Sequence, residues 1–338
     1  MSMYQSPFFC IIGQYWLKFV DIEWTIRILP FIFGVCSLGL VYPLCRQIMS
    51  RSGAMLSLVF LALCPYHIYI SQRFLPYSML LFFLILNMHF FFLTGRKGVK
   101  WYMLAGFILS AVCAMSSHLY AVTIIPAQLF FFYFVPYKKN RFPFTNWIIC
   151  CTVIFCLWLI LLGVNIAYLD IAVTSDRSEF VTTSLKHIFY MIFIVPYGMI
   201  DAGNIWLSAL YIVVGIAIVF CMYRGVAESH IYKKGKSTIV NLQINSDLIC
   251  FCGFLFVIQL IIPLIIFEII PVFYSKQSHV TGIMLVCAIL MGSGLERHNC
   301  APKLRIFMTS LIGLIFIGAL VNYYHLRFVE EQLFMLIR

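Results

Sequence analysis

The sequence predicts an all-α protein that crosses a membrane about ten times. Composition is the first ground: 63% of the 338 residues are hydrophobic and 10% are charged, with a mean hydropathy of +0.99. No water-soluble domain of this size needs so much apolar surface. The second ground is a series of long apolar runs with no strand-like alternation. Lipid leaves open backbone groups unsatisfied, so runs of this kind cross as helices. The third is the segregation of basic residues onto one set of loops, the pattern that fixes a polytopic protein in orientation.

Taken in order, residues 7–20 place Phe8, Ile12, Tyr15 and Phe19 on one helical face, with Gln14 and Lys18 off it. That pattern fits a helix lying on the membrane surface. Candidate spans follow at about Ile28–Leu44, Ala54–Ile70, Leu75–Leu93, Met103–Ser117 and Tyr120–Val135. Five more run at about Trp147–Tyr168, Trp206–Met222, Leu248–Phe267, Val280–Gly294 and Ile306–Val321. Several are shorter than the ~20 residues a free-standing span prefers, which leaves room for shifted boundaries or a re-entrant segment. His187–Met199 is apolar but too short to span, and reads as a cover over the outward loop beginning at Asp170. Pro30, Pro65, Pro76, Pro136 and Pro271 mark span ends, while Pro126 and Pro263 lie inside spans. With no internal repeat, residues 1–322 read as one transmembrane domain and residues 323–338 as a short outward tail.

Segments 46–52, 96–100, 138–141, 224–236 and 297–305 fall on one face and hold 15 of the 23 Lys and Arg. By the positive-inside rule that face is cytoplasmic. Most acids, including Asp21, Glu23, Asp170, Asp176, Glu179 and Asp201, fall on the other. The net charge of +11 is therefore explained by orienting loops, and no dense basic stretch interleaved with aromatics points to nucleic acid. The 13 cysteines lie mostly inside apolar runs, where they act as small hydrophobes rather than a disulfide framework. Cys250 and Cys252 have no His or carboxylate beside them, so no metal site is expected there.

Polar residues gather between the second and third spans, in Pro65–Tyr77, on the outward face. Clustered polar groups at a membrane surface are where chemistry or binding belongs. Three segments on that side carry a recognisable order. The first is Ser6-Pro7-Phe8-Phe9, followed by Arg27-Ile28-Leu29-Pro30 with Gly34 behind it. The second is Cys64-Pro65-Tyr66-His67, then Ser71-Gln72 and Tyr77; the third is Ser117-His118-Leu119-Tyr120. In order, spacing and side, these segments resemble the integral-membrane glycosyltransferases of the C-type superfamily (GT-C), in the protein-mannosyltransferase and aminoarabinose-transferase branch. The resemblance covers roughly residues 5–135.

What the resemblance implies is transfer of a sugar from a polyprenyl phosphate to a glycan, lipid or protein on the non-cytoplasmic side, in a bacterial inner membrane. No cofactor is expected; the acidic Asp170–Glu179 group suggests a divalent cation, although one loop with Arg177 inside it is more often just solvated. Such transfer needs a carboxylate to take the acceptor proton, cations to stabilise the leaving phosphate and a groove for the isoprenoid. Arg73 and Lys276 are the outward cations for the phosphate; Gln72, Tyr77 and His118 would orient sugar hydroxyls. Arg73 also suits an interfacial anchor, and Lys276 an ordinary loop position. The family has an acid directly after Ser-Gln, where this chain has Arg73, and its late Arg-Tyr signature finds only Tyr274-Ser275-Lys276 here. Its catalytic aspartate lies in the first outward loop, upstream of the segment with which this sequence begins. The expectation is therefore an acidic base placed upstream of Met1, on a longer chain with one more span, or a chain without that base. Asp21 and Glu23 are the remaining acids on hand. Two other readings stand beside the enzyme: an inactive GT-C relative that binds lipid, and a transporter or flippase. Few prolines inside spans and the lack of a repeated half weigh against the transporter.

Overall fold

The computed structural model describes residues 7–19, 23–47, 49–94, 99–134, 144–169 and 276–296, with isolated positions at 216, 251, 252, 255 and 258 and helical residues between 303 and 324. Every regular element among them is helical. The order is α1 (Pro7–Leu17), a short turn α2 (Glu23–Ile26), α3 (Ile28–Arg46), α4 (Arg51–Leu63), α5 (Pro65–Gln72), α6 (Tyr77–Thr94) and α7 (Trp101–Ser117). A 3₁₀ turn at Leu119–Thr123 leads into α8 (Ile124–Phe134), then α9 (Phe144–Leu169) and α10 (Lys276–Glu296). The candidate spans at Trp206–Met222 and Leu248–Phe267, the His187–Met199 segment and the acidic loop at 170–179 lie largely or wholly outside the described residues.

Three helices, α3, α6 and α9, are long and apolar enough to cross a membrane, and α4 with α5 passes as a fourth, bent span. The expected single span at Ala54–Ile70 is thus two helices meeting at 56°. Cys64 takes an extended conformation at the joint (φ −62°, ψ 118°), and Pro65 follows as the first residue of α5. Proline has no N–H to give a continuing helix and restricts the residue before it, so the break falls there. The expected Tyr120–Val135 span begins instead as a 3₁₀ turn, which moves Pro126 from a span interior into the first turn of α8, where its missing N–H costs nothing.

Burial separates core from periphery. In α6, 61% of the spanning window is buried, against 17% in α9, so among the described helices α6 is central and α9 peripheral. Helix α6 touches α3, α5, α7 and α10, and α4 touches α3, α5 and α10. A chain of amides crosses the centre. The Trp147 indole N–H donates to Gln128 Oε1 at 3.2 Å, and Gln128 Nε2 donates to Asn87 Oδ1 at 3.0 Å. Asn87 Nδ2 donates in turn to the Phe107 carbonyl at 3.0 Å. Four helices, α9, α8, α6 and α7, are tied by groups that lipid could not solvate.

A second constraint joins α4 to α10. A Cβ added at Gly292 would lie 2.6 Å from the Gly53 carbonyl oxygen and would strike Ser57 Oγ, so the helices cross on small residues. Beyond the crossing, Glu296 Oε1 accepts from the Ser50 backbone N–H at 2.8 Å, and Ser50 Oγ accepts from Ser52 N–H at 3.2 Å. A carboxylate and a hydroxyl thus cap the start of α4 together. Gln47 pairs with the His89 ring at 2.7 Å, at the same end of the bundle.

Helix α1 packs on the bundle by one stripe. Phe9 and Gly13 are buried and Phe8, Ile12 and Trp16 half-buried, while Tyr15 and Phe19 are 61% and 84% exposed. The stripe packed on the bundle therefore runs 8, 9, 12, 13, 16, and Tyr15 and Phe19 stay exposed. The reason is Phe74, whose ring sits 4.9 Å from the Phe9 ring and within 2.9 Å of a Cβ placed on Gly13. The described cysteines form no disulfide, and Cys45, Cys64, Cys150, Cys252 and Cys287 are buried as small apolar groups.

Two outcomes test this packing. Gly292→Ala forces α4 and α10 apart and lowers stability in detergent by about 1–3 kcal/mol, whereas Gly39→Ala, with open space around its Cβ, does not. A double-mutant cycle over Asn87→Leu and Gln128→Leu gives a favourable coupling of about 0.6–1.7 kcal/mol; additive effects would contradict the buried chain.

Candidate functional site

The polar end of the bundle is built on α5. Helix α5 docks on α3 because Gly34 has no side chain: a Cβ there would strike Ser71 Oγ. Ser71 Oγ donates to the His67 carbonyl at 2.7 Å, and the His67 ring hydrogen-bonds the Gly34 backbone. The Gly34 and Ser71 of the motif thus form one contact. Tyr66 pairs with the Thr281 side chain, which ties α5 to the first turns of α10.

Three side chains run along one face of α5 at helical spacing. The Tyr66 and Tyr69 rings stack at 6.0 Å and 26°, and the Arg73 guanidinium lies over the Tyr69 ring, 4.5 Å from its centroid. Arg73 itself is exposed at the end of the helix, with an extended backbone (φ −107°, ψ 137°). Beside it, Gln72 Nε2 donates to the Tyr324 hydroxyl at 2.8 Å. The next residues turn under α1 through Phe74 and enter α6.

Tyr77 opens α6, buried, with its ring 5.8 Å from the His118 ring. His118 lies in the break after α7, outside the spans. Its Nδ1 accepts from the Tyr120 backbone N–H at 3.1 Å and so caps the 3₁₀ turn. Burial pushes the imidazole down from 6.5 to about 4. It is therefore neutral at physiological pH, and with Nδ1 accepting, the proton sits on Nε2.

Among the described residues, His67 Nε2, Ser78 Oγ, Ser116 Oγ and His118 Nε2 are buried with no hydrogen-bond partner. All four belong to this end. An orphaned buried polar atom costs about 1–3 kcal/mol, so a cluster of them marks a place built for something other than stability.

The structure thus brings Gln72 and Arg73 together on α5, and Tyr77 and His118 together between α6 and α7. Lys276, expected in a loop, is the first residue of α10, five residues before the Thr281 that pairs with Tyr66. Met1, ahead of which the resemblance puts the catalytic acid, lies outside the described residues, and so does Asp21. Glu23 opens the turn α2. The one carboxylate among the described side chains, Glu296, caps α4 at the opposite end. Among the described residues no group of three or more His, Cys, Asp or Glu could hold a metal ion. The described groups at the polar end can bind an anion and orient hydroxyls; a proton acceptor would have to come from elsewhere. Sequence reasoning gave Tyr66 only as part of a motif and passed over Tyr69 and Tyr324. The spacing of Tyr66, Tyr69 and Arg73 was open to reading, whereas Tyr324 lies 252 residues from its partner.

Comparison with known proteins agrees with this geometry. Residues 16–168 match the family described as dolichyl-phosphate-mannose-protein mannosyltransferase. No curated protein matches the chain by sequence. Among solved structures, ArnT from Cupriavidus metallidurans in the apo state superposes with a TM-score of 0.59 at 12% identity, over 89% of this chain and 50% of that one. The apo oligosaccharyltransferase of Archaeoglobus fulgidus gives 0.53 at 14% identity, over 94% of this chain and 47% of that one. The chain spans about half the length of these structures. The two superpositions show that the chain has the helical fold of these membrane proteins, and residues 16–168 are similar to the mannosyltransferase family.

Proposed function

We propose that this protein transfers a sugar from a polyprenyl phosphate to a glycan, lipid or protein acceptor on the non-cytoplasmic side of a bacterial inner membrane. The observation that carries the reading is the exposed Arg73 guanidinium held at the polar end of a GT-C fold, beside the Gln72–Tyr324 pair. As the acceptor oxygen attacks the sugar carbon, the phosphate leaves as an anion. A fixed guanidinium stabilises that charge with two parallel N–H donors. Lys276, at the start of α10, is the second cation of this reading. Gln72, Tyr77 and the neutral His118, donating through Nε2, would take sugar hydroxyls. The acceptor proton would pass to a carboxylate, for which the sequence offers Asp21 and Glu23.

A second reading is supported by the described side chains of this end, which offer a cation and hydrogen-bonding groups and include no carboxylate among those described. There the chain keeps the fold and takes up the lipid phosphate without releasing sugar.

Sugar transfer from a lipid-linked donor in isolated membranes separates the two. The enzyme releases free polyprenyl phosphate with turnover, and Arg73→Ala cuts that rate by about 10²–10³ with insertion unchanged. Full activity in Arg73→Ala would sink the role of Arg73; lipid binding without any release would favour the second reading.

A further inference from the structure

The contact between Arg73 and Tyr69 constrains the cation at the site. Arg73 is the last residue before the chain leaves α5, and an exposed arginine there would ordinarily sample many rotamers. It folds back over the preceding turn instead and lays its guanidinium on the Tyr69 ring at 4.5 Å. Tyr69 is itself fixed: it is 5% exposed and stacked on Tyr66, which is 4% exposed and paired with Thr281 of α10. The chain of support therefore runs from α10 through two buried rings to one exposed cation.

A guanidinium carries its five N–H donors in one plane, so a ring that holds its carbon still leaves donors for an anion. The contact therefore does not compete with anion binding. It removes rotamer freedom beforehand, so less entropy is lost when a phosphate is taken. Among the described residues no carboxylate pairs with Arg73, so nothing there competes for those donors.

We propose that Tyr69 is the positioning residue for Arg73: its ring holds the guanidinium at the end of α5 and so sets the affinity for the phosphate of a polyprenyl phosphate. This rests on the reading that Arg73 takes that phosphate. Tyr69 touches no reacting atom, and its hydroxyl has no part in the effect. The ring face alone carries it, which separates this role from hydrogen bonding or general acid chemistry.

The test is binding of a polyprenyl phosphate to the full chain in detergent, with the polyprenol of equal length as control for the tail. Tyr69→Phe keeps the ring and leaves affinity within about twofold, while Tyr69→Leu weakens it by about 5- to 30-fold. In an Arg73→Ala background the Tyr69→Leu change has no further effect, which a merely structural role would not produce. If Tyr69→Leu fails to fold, Tyr69→Met fills the same space without a ring face and carries the same expectation. Equal loss from Tyr69→Leu in both backgrounds, or no loss where Arg73→Ala weakens binding, overturns the positioning role and leaves Arg73 as the phosphate ligand. Equal affinity for phosphate and polyprenol in the unaltered chain, or an Arg73→Ala variant that binds normally, overturns the phosphate reading itself and the inference with it.

Discussion

In a lipid solvent a buried polar group must find its partner within the protein, and that constraint orders this bundle. Asn87 is fully buried near the middle of α6, where water cannot reach it, and its amide is the joint of a chain from Trp147 through Gln128 to the Phe107 carbonyl. Apolar side chains pack against lipid tails about as well as against one another, so they do not by themselves decide which helices meet. Directional bonds and close crossings do. The amides fix α6, α7, α8 and α9 in register, while Gly53, Ser57 and Gly292 bring α4 and α10 to backbone distance. The Glu296 cap then ties the end of α10 to the start of α4.

Against that background the polar end stands out. At the end that carries Gln47, His89 and Glu296, polar groups are paired. At the α5 end, four buried polar atoms among the described residues are not, and a cation is exposed beside them. The same end is where the bend at Cys64 turns α5 away from α4, so that its last turn presents Gln72 and Arg73. Gly34 makes this possible by letting Ser71 settle on α3. A local break, a missing side chain and an arginine held over a ring together shape this candidate site.

Much of this was open to reading before any coordinates. Apolar runs located α3, α6, α7 and α9 to within a few residues, because long hydrophobic stretches in lipid have only one conformation to adopt. The motif residues Gly34, Ser71, Gln72, Tyr77 and His118 all fall at one end, as their order implied. What escaped was non-local or geometric. Hydropathy alone joins Ala54–Ile70 into one span, and only the pairing of Cys64 with Pro65 signals the bend. Which side of α1 packs on the bundle is decided by Phe74, 65 residues beyond Phe9. Asn87 and Gln128 are single amides in oily runs, and nothing near them in the sequence names their partners.

The chain spans about half the length of either structural neighbour, so the sugar, the acceptor and the base are questions for the protein in its membrane. All of the proposed chemistry assumes that the α5 end lies outside the cytoplasm, opposite the basic loops. The most direct test is a pair of reporter fusions in a bacterial host, one after Leu75 and one after Gly98, each made with alkaline phosphatase and with green fluorescent protein. An outward α5 end gives phosphatase activity after Leu75 and fluorescence after Gly98. The reverse pattern would put Arg73 in the cytoplasm and contradict a site that works on the outer face.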